Sequence, residues 1–110
     1  MQAARFDRAN LEDAEFSDSN LQGASFAHAQ VRSVDFEEVE AAGANFYGAS
    51  LRDLLIRESD FDYADFRQAD LDDAELERSS FRYGDFRGAN LNSVASYFCD
   101  FYGAVFWGPP

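Results

Sequence analysis

A chain of 110 residues with 21 acidic residues, nine basic ones (all arginine) and a net charge of −12 has room for one domain over 1–110. Such a charge repels nucleic acid and anionic membrane surfaces, so any electrostatic partner is expected to be basic. The 46% apolar content, with twelve phenylalanines, speaks for a packed core over disorder, and one cysteine excludes an internal disulfide or a cysteine metal cluster.

No apolar run is long enough to span a membrane, and no apolar stretch follows Met1-Gln2-Ala3-Ala4-Arg5 to make it a signal peptide. A cytoplasmic location is the expectation. From Ala4 to about residue 108 a five-residue unit repeats without insertion. Its centres, every fifth residue from Phe6 to Phe106, are eleven Phe, six Leu, Val31, Ile56, Ala41 and Ser96. Two residues before each centre stands a small or apolar residue, Ala in twelve cases, and none of these 42 positions is charged.

A helix would send such centres around its axis, and a strand would send successive ones to opposite faces. The chain must therefore turn identically every five residues, each side of a coil giving one large and one small inward side chain. Every twentieth residue from Phe6 to Phe106 is Phe, and the next column is Leu11, Val31, Leu51, Leu71 and Leu91. This predicts four sides per coil and about five coils.

Taken along the chain, the first coil opens the register and carries Ala9-Asn10-Leu11. The second holds the outward His28, the acids Asp35, Glu37 and Glu38, and the small centre Ala41 beside a large Val39. A large-for-small exchange of this kind keeps core density constant. The third carries Ala44-Asn45-Phe46, the outward Tyr47 and Leu55, and Arg57, twenty residues from both Glu37 and Glu77, which predicts an acid–base–acid ladder. Tyr63 ends the third coil and Tyr83 the fourth, in position to stack. The fourth coil contains Ala64-Asp65-Phe66, Ala69-Asp70-Leu71 and the acids Asp70, Asp72, Asp73, Glu75 and Glu77. The fifth contains Ala89-Asn90-Leu91, the pair Val94 and Ser96, an inward Cys99, and outward Tyr97, Phe98 and Tyr102. Trp107 follows. Open apolar ends are the weak point of a repeat rod, so Tyr97, Phe98, Tyr102 and Trp107 form the candidate end cap or homodimer surface.

These Ala-(Asp/Asn)-(Leu/Phe) triplets resemble the signature of the pentapeptide-repeat family. The resemblance implies an all-β fold, a right-handed quadrilateral β-helix with Leu/Phe inside. It also implies two kinds of role, since the family includes acidic DNA mimics that bind type II topoisomerases as well as scaffolds.

Sorted by side, the column of Phe6 sums to +1, that of Leu11 to −4, that of Phe16 to −6 and that of Leu21 to −3. Asp35, Glu37, Glu38, Asp70, Asp72, Asp73, Glu75 and Glu77 are thus the candidate acidic binding surface. It is expected to meet a protein with a basic groove, DNA gyrase being the concrete case. The alternative is a structural spacer or interaction scaffold, part of a longer chain or an idealised repeat. His28 and Cys99 lie more than three coils apart. No calcium-loop, zinc or phosphate-loop spacing occurs. A filled cylinder offers no concave pocket. Neither enzymatic activity nor a cofactor is expected.

Overall fold

The same five-residue backbone turn recurs along the whole described chain, residues 3–108 of a computed structural model. The third residue of every unit, two after the centre, is left-handed: φ lies between 46° and 63° at the fifteen non-glycine positions, and Gly23, Gly43, Gly48, Gly88, Gly103 and Gly108 take the rest. On three of the four sides the centre's carbonyl accepts the N–H three residues on, as in Phe6 to Ala9 and Phe46 to Ala49. That bond with a positive φ at the third residue is a type II turn. Asn or Asp just before the centre adds an Asx bond, its Oδ1 accepting the N–H two residues later, as Asn45 does from Tyr47 and Asp60 from Asp62.

One side is different. There the chain forms true strands: β1 (Glu15–Ser17), β2 (Asp35–Glu37), β3 (Leu55–Arg57), β4 (Glu75–Glu77) and β5 (Ala95–Tyr97). They make one parallel sheet in the order β1-β2-β3-β4-β5, each residue aligned with the one twenty further on, Phe36 with Ile56 for example. The other three sides pair through single parallel bridges at the same offset, such as Arg5 with Ser25, Asn10 with Gln30 and Asn20 with Glu40. The expected four sides per coil are therefore present, in an all-strand solenoid without a helix among the described residues.

The corner after the strand side turns by a different device. The Ser19, Ser59 and Ser79 hydroxyls donate to the carbonyls of Ser17, Arg57 and Glu77, two residues back. Ser59 and Ser79 also accept from the coil below, from the N–H groups of Val39 and Ser59 at 3.1 and 3.0 Å. Both serines are buried. Ser79→Ala would strand a buried Ser59 N–H and is expected to cost about 1–3 kcal/mol. Urea unfolding checks this, with a lower midpoint at unchanged slope as the expected result.

Inside, every centre and every preceding small position from Leu21 to Phe86 is buried. The Phe column stacks face to face: Phe6, Phe26, Phe46, Phe66, Phe86 and Phe106 have successive centroid separations of 4.9, 4.7, 5.1, 4.8 and 5.1 Å. Phe16 and Phe36 stack at 5.2 Å and meet this column edge-on. The Val39–Ala41 exchange holds, with both residues sealed from solvent. The body measures 31 × 27 × 26 Å, so it is a stub about as wide as it is long.

Candidate protein-interaction surfaces

With the core filled, chemistry is confined to outward positions, and the four sides differ in how their charges are satisfied. On the side of Phe6 they nearly cancel. Arg67 binds Asp65 at 2.8 Å and approaches Asp85, and Arg87 binds Asp85 at 2.6 Å. The hydrogen bond from Arg87 holds the Asp85 pKa below the ordinary aspartate value. Arg67 also lies 5.2 Å from the centre of the Tyr47 ring. Tyr63 and Tyr83 stack at 5.1 Å as their spacing predicts, and Tyr102 closes edge-on against Tyr83.

The eight predicted acids separate into groups. Asp35 and Glu37 lie 3.6 and 2.7 Å from Arg57, and Asp72 pairs with Arg52 at 3.1 Å. Asp70 accepts from the Asn90 side chain and from the Asp72 N–H. Glu38, Asp73, Glu75 and Glu77 make no ion pair with an arginine among the described residues. The predicted acid–base–acid ladder is only half formed: Arg57 turns to Glu37 and Asp35, and Glu77 gains no bond from it.

Sorting charges by side hides an acidic strip that lies along a corner. There the residue two after one centre stands beside the residue just before the next. Asp18, Glu38 and Glu58 form one column, and Glu40 and Asp60 the neighbouring one. None of these five is ion-paired among the described residues. A shallow open groove of about 580 Å³ runs between the columns, from Glu38, Glu40, Glu58 and Asp60 past Arg78 to Phe98, Cys99 and Asp100. A filled cylinder was expected to leave no concavity; the columns stand out far enough at this corner to make one.

Glu38 reports the crowding. Its hydrogen bond to Asp18, and then the charge of Asp18, hold its pKa above the ordinary glutamate value. A raised folded pKa contributes stability that is fully present below the unfolded value and is lost as pH rises through the folded one. Glu38→Gln is therefore expected to raise the thermal midpoint near pH 7 and to leave it unchanged near pH 4. Melting curves at the two pH values check this; equal effects at both would contradict it.

The four predicted end residues ring the last coil on different sides. Tyr97 ends β5 on the strand side with Phe98 at the corner after it, Tyr102 lies on the next side and Trp107 on the one after. Phe98 and Trp107 are the most exposed, at 85% and 86%. Along the axis the end shows the open core instead, with Phe106 exposed and Leu91 and Phe101 only partly covered. His28 lies in the second coil against Tyr47, and Cys99 in the fifth, its sulfur 3.5 Å from the Tyr97 carbonyl.

A parallel β-solenoid of four-sided coils, with an apolar filling and its charged groups outside, defines a class of repeat proteins. The chain belongs to the pentapeptide-repeat family: the model described as "Pentapeptide repeat region" matches residues 1–66, and that described as "Pentapeptide repeats (8 copies)" matches residues 59–94. Solved structures of similar fold include QnrB1, a plasmid-mediated fluoroquinolone resistance protein. Its R167E trypsin-treated form has a TM-score of 0.70 and 21% identity, covering 91% of this chain and 59% of that one. A pentapeptide repeat protein from the Arabidopsis thaliana thylakoid lumen follows at a TM-score of 0.55 and 24% identity, covering 78% and 60%. This chain thus spans about three fifths of either relative. No curated protein matches it.

Proposed function

We propose that this solenoid is a non-enzymatic protein-binding module whose acidic surface occupies a basic, DNA-binding groove on a type II topoisomerase such as DNA gyrase. The observation that carries the reading is the uneven satisfaction of charge. One side nearly neutralises itself, while a strip of five carboxylates without an arginine partner among the described residues, and Glu75 and Glu77 on the adjoining strand side, remain open to a cationic partner. Duplex DNA carries about one charge per 1.7 Å, so over the 31 Å body it would present on the order of 18, against −12 here. The linear charge density is comparable. The family resemblance supplies the topoisomerase as the concrete partner.

Titration into a gyrase supercoiling assay tests this. Inhibition at micromolar concentration or below is expected, and no inhibition by folded protein would leave the rival reading, a spacer or scaffold. That rival draws on the unbroken backbone ladder, which joins coil to coil like a structural rod.

Self-association is part of the same reading. After Arg87 the only charged residue is Asp100. The last coil is therefore where two chains of charge −12 can meet with least repulsion, covering Phe106, Trp107 and the open core. Sedimentation is expected to show a dimer; a monomer at every concentration would remove this element.

A further inference from the structure

Arg57 breaks the symmetry of the strand side. Glu37 and Glu77 are its neighbours on the two adjoining strands, and so are Asp35 and Glu75 beside Leu55. The guanidinium serves only the β2 pair. Glu75 and Glu77 on β4 are left without an ion pair among the described residues. The next strand then places Ala95 against Glu75 and Tyr97 against Glu77, and Phe98 follows at the corner. Tyr97 is 53% exposed and Phe98 85%. Glu75, Glu77, Arg78, Tyr97 and Phe98 together line a hollow of about 290 Å³.

Two unpaired carboxylates beside two exposed aromatic rings are a combination with one natural complement. A ring face attracts a cation through its quadrupole, and a carboxylate takes a guanidinium through two parallel hydrogen bonds. Neighbouring strands lie about 4.8 Å apart, so the Glu77 carboxylate and the Tyr97 ring border the same small space. A planar guanidinium can stack on a ring while its edge meets the carboxylate, which a compact ammonium cannot do. The hollow lies at or below the roughly 300 Å³ lower end of small-molecule pockets, a size suited to the end of one side chain. Arg78 is the one cation lining it, so these three charged groups sum to −1.

We propose that this hollow receives an arginine side chain presented by the basic surface of a protein partner. The inference rests on the partner-binding reading above and adds the point at which the partner is gripped.

The test is an NMR titration of the intact protein with N-acetyl-arginine amide, with the lysine and the uncharged citrulline analogues alongside. The arginine compound is expected to shift Tyr97, Phe98, Glu75 and Glu77 resonances in a saturable way, the lysine compound more weakly and citrulline not at all. Tyr97→Leu should weaken binding about fivefold. Glu75→Gln with Glu77→Gln should abolish it, and Arg78→Gln should strengthen it by removing the competing cation. Equal shifts with citrulline would overturn the proposal, as would arginine shifts spread evenly over Asp18, Glu58, Asp60 and the other acids. Shifts at the hollow without gyrase inhibition would leave the proposal standing and remove only the topoisomerase as partner. Gyrase inhibition without shifts at the hollow would overturn the proposal and leave the broader reading intact.

Discussion

Phe46→Ala is expected to cost about 3–5 kcal/mol and to lower the thermal midpoint by roughly 15–30 °C in a domain of this size. Phe46 is buried, stacked at 4.7 and 5.1 Å on Phe26 and Phe66 and edge-on to Phe36. Both coils that flank it are fixed by the backbone ladder, so the hole cannot collapse. Coils in a solenoid contact only their neighbours, and a defect in the third coil separates the two halves of the stack. Phe106, at the open end and 38% exposed, is the control: the same truncation there should cost less than half as much. Thermal melts followed by circular dichroism decide between them. Equal losses at the two positions would mean that the column is not the source of stability.

The second large effect is on binding. Glu38→Gln, Glu40→Gln, Glu58→Gln, Asp60→Asn and Asp73→Asn together move the net charge from −12 to −7 without touching an arginine's partner. At roughly 0.5–1 kcal/mol per exposed pair, affinity for a basic groove should fall about 100-fold or more. Stability should hold or rise, because Glu38, Glu40, Glu58 and Asp60 repel one another along the corner and Asp73 has no arginine partner among the described residues. Asp35, Glu37 and Asp72 are poorer choices for such a variant: their arginines would be left alone, mixing a folding defect into a binding measurement. A spacer would tolerate all five changes.

The period of five and the uncharged pairs of positions made the solenoid legible in the sequence, because burial selects the same residue types at the same place in every coil. The twenty-residue recurrence of Phe gave the number of sides, since large flat rings stack best on their own kind. Two features of the backbone were equally present and less obvious. Six of the seven glycines fall at the one left-handed position of the unit, which marks the turn. Ser19, Ser59, Ser79 and Cys99 all fall at one corner, which marks the strand side. Cross-coil serine bonds replace the type II turn there.

The acidic surface was harder to read. A count by side assigns Glu38 and Glu40 to different faces, although the chain bends between them and brings both to one groove. Side-chain choice was not legible at all: spacing offers Arg57 equally to Glu37 and Glu77, and only packing decides that it serves Asp35 and Glu37. That choice leaves Glu75 and Glu77 open beside Tyr97.

The most direct test of the central claim is displacement of a fluorescent DNA duplex from a type II topoisomerase, followed by anisotropy at increasing salt. The protein should displace the duplex at low salt and lose this ability steeply as salt screens the acidic surface. The five-site variant should need about 100-fold more protein. Displacement that is insensitive to salt, or equal for the wild type and the folded five-site variant, would contradict the account.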